Sequence, residues 1–353
     1  MHSPDALRSP RLGRGSVLLR TLLVVLLLAI AAVAGAGYTL REELSRPVVT
    51  EGERTFQVAA GASLRSVLGE LKRERLVRHP RLLEAWARWH YGARVGLKSG
   101  RYAFASGSTP RELIEQMRAG RVVLEQLTLI EGWNFAQFRQ AIDAHPAVAH
   151  GWRGLTPASI MKALGQEGLP AEGRFFPDTY RFAAGTADGA VYRMAFERMQ
   201  QELQRAWQAR SSDLPLSSPE QLLTFASVVE KETGREDERA RVAAVFANRL
   251  RVGMRLQSDP TVIYGLGESY DGDIRSRDLV TDTPYNTYTR EGLPPTPIAM
   301  PGAASLQAAA HPAGDKALYF VATGNGDGSH HFSSTLEEHN AAVARFLRRT
   351  RGH

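Results

Sequence analysis

The stretch TLLVVLLLAIAAVAGAGY, Thr21 to Tyr38, runs for 18 residues without a charged side chain. That is close to the roughly 20 apolar residues a helix needs to cross a bilayer. Arg8, Arg11, Arg14 and Arg20 precede it and the mixed REELSR follows it. The positive-inside rule then predicts a cytoplasmic tail over 1–16, a transmembrane anchor over 17–38, and everything beyond Arg41 on the far side of the membrane. A cleaved signal peptide is the competing reading, because AAVAGAG offers an A-x-A site. The apolar run is longer than the usual ~7–15-residue signal core, so a retained anchor is the expectation.

What the anchor exports is large enough for more than one core: 353 residues in all, 43% hydrophobic and 23% charged. The absence of cysteine rules out disulfides and thiolate metal sites without fixing a compartment. The net charge of +7 comes mostly from arginines spread along helices, which fits attraction to anionic lipid or cell wall and not nucleic acid. No Gly-rich loop precedes a Lys-Ser or Lys-Thr pair, so no nucleotide chemistry is implied.

The fold class expected is α+β. Over 39–126, FQVAAGASLRSVLGELKRERLV predicts a strand, a turn at Gly61 and an amphipathic helix capped by Ser63. HPRLLEAWARWH gives a second helix. LKSGRYAFASGSTPRELIEQMRAG then gives a strand near Tyr102 and a helix that starts at Ser108 or Thr109 with Pro110 and stops at Gly120. Over 127–350 the pattern becomes mostly helical with short strands and long loops. From Met254 it is rich in Pro, Gly, Asp, Asn and Tyr, as connectors or the walls of a site are. LYFVATG reads as a late strand, and SHHFSSTLEEHN as a polar turn leading into a last helix.

Within SSPEQLLTFASVVEKETG a helix starts at Ser218 and Pro219 and stops at Gly234. On a 100° wheel Leu222, Leu223, Phe225, Ala226, Val228 and Val229 form an apolar arc. Glu230 falls inside that arc beside Ala226, and Glu232 falls near its other edge. Both lie in the last turn, where the helix dipole disfavours a carboxylate, a setting suited to a general acid. The plainer use is a helix end at which Lys231, Arg235 and Arg239 pair with these glutamates. EGRFFPDTYRF, from Glu172 to Phe182, reads as a rigid aromatic loop with polar tips. His330, His331 and His339 lack metal-ligand spacing, and no metal or cofactor is expected.

ASVVEKETG, VFANRLRVGMRLQSDPTVIYG, YNTY, GLPPTPIAMPG, SLQAAAHPA, LYFVATG and HHFSSTLEEHN, taken in order with EGRFFPDTYRF, resemble the YceG-like family of endolytic murein transglycosylases. The resemblance runs from about Gln57 to Phe346. It implies a single-pass inner-membrane protein with a LysM-like α+β subdomain ahead of a periplasmic catalytic domain. It also implies cleavage of the β-1,4 bond between N-acetylmuramic acid and N-acetylglucosamine inside nascent glycan strands, leaving a 1,6-anhydro end. The first Glu of VEKE, Glu230, would be the catalytic acid, and Glu232 is the less favoured one. Positions matching the family's motifs supply candidate glycan contacts at Asn248, Arg249, Gln257, Asp259, Tyr285, Asn286 and Tyr288, with Glu172 reaching the cleft. His330, His339 and Asn340 also fit the motif, and His331 stays unassigned. The implied partners are peptidoglycan glycan strands, the membrane and peptidoglycan synthases, with the protein acting as a terminase. Two other readings are weighed against this one: an inactive membrane-tethered glycan-binding scaffold, and a pyridoxal-phosphate lyase. The intact Glu230 segment opposes the first, and export opposes the second.

Overall fold

A computed structural model describes residues 14–350; most of the expected cytoplasmic tail lies outside them. The chain is mixed α and β and divides into two compact units, the first ending at Leu124 and the second starting at Glu125.

The first unit begins with α1 (Arg14–Ser45), whose segment from Leu18 onward is long and apolar enough to cross a membrane. The helix continues past Tyr38 because its last turns have a second job. Leu44 enters the core of the unit, and Glu43 Oε1 accepts the backbone N–H groups of Arg78 (2.6 Å) and His79 (3.4 Å). Those are free donors at the start of a helix, which a carboxylate satisfies. The rest of the unit is a strand–helix–helix–strand motif followed by a helix: β1 (Glu53–Val58), α2 (Leu64–Arg73), α3 (Pro80–Tyr91), β2 (Gly100–Ala105) and α4 (Pro110–Ala119). β1 and β2 pair antiparallel. Ser63 caps α2, and Thr109 with Glu112 forms a capping box on α4. Gly120, at φ 75, ends α4 in the left-handed region that glycine tolerates.

The second unit contains β3 (Leu124–Thr128), α5 (Phe135–Ala144), β4 (Val148–Ala149), α6 (Pro157–Ala163), β5 (Thr179–Ala183), β6 (Thr186–Ala187) and α7 (Asp188–Ala209). After these come α8 (Pro219–Glu232), α9 (Glu236–Arg251), α10 (Asp259–Leu266), α11 (Ser276–Val280), α12 (Ala303–Ala310), β7 (Tyr319–Ala322), β8 (His330–Ser333) and α13 (Leu336–Thr350). The strands form two-stranded pairs, β3 with β5, β4 with β6 and β7 with β8. The helix at the centre is α8. Leu222 to Val229 are all buried, and α7, α9, α10 and α12 pack around it. A helix covered on all sides is the setting in which its last turn can hold a carboxyl half-buried.

The loop-rich reading beyond Met254 is refined here. Asp259–Pro260 opens α10, and Ala303–Ala310 is a helix on α8. The polar SHHFS segment forms β8, antiparallel to β7, with Val321 opposite His331. Pairing with β7 in an antiparallel hairpin overrides a composition that looks like a turn.

Candidate active site

Ser218 caps α8 by accepting the Gln221 N–H, and Pro219 fills its first position. The helix then offers two acceptors, Ser227 and Glu230, to one extended segment. Ile298 N–H donates to Ser227 Oγ (3.0 Å), and Gly302 N–H donates to Glu230 Oε2 (3.0 Å). The Ser227 hydroxyl donates in turn to Thr224 O (2.7 Å). Segment 298–302 is also stitched to the EGW turn before α5. Gly132 N–H donates to Met300 O (2.9 Å), and Met300 N–H to Trp133 O (2.7 Å). Gly132, at φ 75, brings this turn against the Glu230 side chain, and Lys231 Nζ donates to Gly132 O (3.3 Å). Three chain segments far apart in sequence thus meet on one half-buried carboxyl.

The same turn delivers Glu131, a residue the sequence reading did not single out. Its carboxyl lies over Gly302, and partial burial together with the neighbouring Glu230 charge raises it above its ordinary carboxylate value. The Arg239 charge opposes that rise.

Beside Gly132 and Lys231 opens a cavity of about 950 Å³, walled by Asn134, Glu172, Tyr264 and Tyr285 among others. Glu172 accepts the Phe135 N–H (3.0 and 3.2 Å) and the Tyr264 hydroxyl (3.0 Å), and burial pushes its carboxyl up to about 7. Tyr264 meets Tyr285 edge to face with centroids 4.8 Å apart, and the Tyr285 hydroxyl bonds Thr296 (2.9 Å). Glu172 and Tyr285 are therefore brought to one wall. Tyr264, also missed, joins them because α10 turns it inward.

Glu232 faces the opposite way. It accepts the Ser258 hydroxyl (2.7 Å), and burial, reinforced by Asp259, pushes it up to about 7. Tyr288 donates to Asp259 Oδ1 (2.6 Å), so Asp259, Tyr288 and Glu232 form a second cluster. Gln257 stands at its edge, exposed and at φ 51, a left-handed conformation unusual outside glycine. The other three candidates are occupied by the backbone. Asn248 Nδ2 donates to Asp315 O (2.7 Å) and Ala317 O (3.0 Å). Arg249, buried, donates to Leu318 O (2.7 Å) and Leu256 O. Asn286, buried, donates to Asp278 O, Leu279 O and Thr281 O.

The simple ion-pairing picture for the helix end does not describe what is found. Lys231 binds a carbonyl, Arg235 pairs with Asp237 (2.7 Å), and Arg239 binds neither Glu230 nor Glu232. His330 Nδ1 meets Glu238 Oε2 at 2.7 Å, and His339 stacks on Tyr319. Among the described residues no three His, Asp or Glu side chains gather as a metal site.

The sequence matches the YceG-like family over residues 56–345, a span that includes every residue of this candidate site. The chain belongs to the YceG-like family. A protein of Bacillus subtilis (strain 168) named endolytic murein transglycosylase is 28% identical over 336 residues, covering 89% of this chain and 91% of the relative. One of the same name from Streptococcus pneumoniae serotype 2 (strain D39 / NCTC 7466) is 26% identical over 356 residues, 92% of this chain and 64% of that protein. A crystal structure of a YceG-like protein from Listeria monocytogenes is 28% identical, with a TM-score of 0.51, and is covered over 98% of its length by 82% of this chain.

Proposed function

We propose that this YceG-like chain is a membrane-anchored murein lytic transglycosylase in which Glu230 is the acid and base. The observation that carries the reading is the Gly302 N–H bond to Glu230 Oε2 at 3.0 Å, which aims one carboxyl beside a cavity sized for sugars. Glu230 protonates the oxygen leaving C1 of N-acetylmuramic acid. The resulting carboxylate then takes the proton of that sugar's own 6-hydroxyl as its oxygen bonds to C1. The β-1,4 bond to N-acetylglucosamine breaks, a 1,6-anhydro ring forms and no water is used. A hydrolase needs a second carboxylate for water; an intramolecular nucleophile does not. Tyr285 and Tyr264 offer stacking faces, while Gln257, Asp259 and Tyr288 border the strand farther along. Asn248, Arg249 and Asn286 act one step back, fixing the loops that carry these groups.

On this reading α1 is retained as a single-pass inner-membrane anchor, residues 39–126 are a LysM-like positioning module and 127–350 the periplasmic catalytic domain. Cutting nascent strands inside their length would make the protein a terminase working beside peptidoglycan synthases.

The test is digestion of glycan strands by wild type and Glu230→Gln, with products weighed by mass spectrometry. Anhydro-ended internal fragments from wild type and a loss of at least 100-fold in Glu230→Gln are expected. Equal cutting by both would move the acid to Glu232. Reducing ends in place of anhydro ends would make the enzyme a hydrolase with Glu131 as its second carboxylate. No cutting by wild type, with strands still bound, would leave a scaffold.

A further inference from the structure

We infer that Arg239 reads a carboxylate carried by the muramic acid of the substrate and thereby sets which glycosidic bond faces Glu230; this rests on the murein-cleaving reading above. Arg239 lies in the first turn of α9, which starts just after α8 ends, and its side chain is only 9% exposed. Its Nε is closed off from solvent without a hydrogen-bond partner, and among the described residues the side chain makes no hydrogen bond, ion pair or ring contact. The neighbouring arginines are all engaged. Arg235 pairs with Asp237, Arg241 with Asp315 and Arg251 with Asp213, while Arg249 binds backbone carbonyls.

A guanidinium N–H held out of water with no partner costs free energy, and no hydrogen bond in the α8–α9 packing satisfies the Arg239 Nε. Its place explains it. Arg239 lies within electrostatic reach of Glu131, whose carboxyl rests on Gly302, the residue that donates to Glu230. Glu131 feels the Arg239 charge without bonding it, so the two terminal nitrogens, which unlike Nε are not sealed from solvent, stay available for a carboxylate from outside, the group guanidinium pairs with best.

Murein supplies such a group on alternate sugars only. Muramic acid bears a lactyl ether, whose carboxyl is free in a denuded strand or extended by a peptide with carboxylates of its own; N-acetylglucosamine bears none. A carboxylate reader within electrostatic reach of Glu131, which adjoins the proton donor through Gly302, therefore distinguishes the two kinds of β-1,4 bond, which are otherwise alike in shape.

The experiment compares kcat and KM of the full chain in detergent on denuded strands and on peptide-bearing strands, each before and after carbodiimide coupling to ammonia, which turns carboxylates into amides. Wild type is expected to lose at least tenfold in KM on amidation with kcat changed less than about threefold. Arg239→Gln should show that loss already on native strands and be indifferent to amidation, and Arg239→Lys should recover part of it. Sensitivity on denuded strands assigns the lactyl carboxylate; sensitivity confined to peptide-bearing strands assigns the stem peptide. Wild type that cuts all preparations equally well overturns the inference while leaving the murein reading standing, and so does an Arg239→Gln that still discriminates. Wild type that cuts none overturns both. The amidation arms use unaltered protein, so they decide the matter even if Arg239→Gln does not fold.

Discussion

Glu131 and Gly302 are in face-to-face contact: a β-carbon built on Gly302 falls 1.9 Å from Glu131 Oε1. The backbone of Gly302, at φ −79 and ψ 175, is open to any residue, so glycine is required here for space and not for conformation. The Glu131 tip can swing away at little cost, so Gly302→Ala should fold with a stability change within about 1 kcal/mol. Activity should behave differently, because the methyl group displaces the carboxyl next to Glu230. A fall in kcat of about tenfold or more is expected for Gly302→Ala and for Glu131→Gln, with the double variant no worse than the poorer single one. Multiplicative losses in the double variant would show that the two residues act separately.

The pH dependence of stability follows from Glu172 and Glu232, each moved from 4.5 to about 7. With the folded value above the unfolded one, folding favours the protonated form. The associated stability is fully present below about 4.5 and is lost as the pH rises through about 7. Each group can contribute a slope of up to about 1.4 kcal/mol per pH unit in that window. Urea midpoints measured from pH 4 to 8 should fall less steeply for Glu172→Gln and Glu232→Gln than for wild type. Parallel curves would mean that neither group is protonated by folding.

Gly173 joins the Glu172 loop to the segment that carries Gly302. It sits at φ 77, and an added β-carbon would come 2.4 Å from Pro297 and 3.4 Å from the Ala299 carbonyl. Here neither obstacle is a flexible tip. Left-handed strain of about 1–2 kcal/mol adds to the clash, so Gly173→Ala should cost more than about 2 kcal/mol by chemical denaturation. A loss below about 0.5 kcal/mol would show that the loop is free to shift.

The limits of α8 were legible because caps are local chemistry. Ser218, Pro219 and the stop before Gly234 announce themselves within a few residues, as do Ser63, Thr109 and Gly120 in the first unit. The position of Glu230 on the apolar arc was legible for the same reason. Its surroundings were not. Glu131 reaches it through Gly302, Arg239 acts on Glu131 by charge alone, and no spacing in the sequence encodes that meeting. Asn248, Arg249 and Asn286 show the converse problem: in a motif, a polar residue turned to a carbonyl looks the same as one turned to a sugar. β8 was hidden because three of its four residues, His330, His331 and Ser333, are polar, and only the pairing with β7 makes them a strand.

That hairpin depends on Glu238. Its carboxylate accepts the His330 N–H at 3.0 and 3.2 Å and meets His330 Nδ1 at 2.7 Å, so one α9 side chain holds β8 by both backbone and ring. Glu238→Ala would leave the N–H of a half-buried residue unmatched, with an expected loss of about 1–3 kcal/mol. Because the contact is confined to the hairpin, the loss should be local before it is global. Amides of β7 and β8 are expected to exchange at least tenfold faster in native-state hydrogen exchange, while those of α8 stay protected. If α8 amides speed up by the same factor, the hairpin and the Glu230 helix open as one unit, and the clamp at Glu238 would then help hold the Glu230 carboxyl in place.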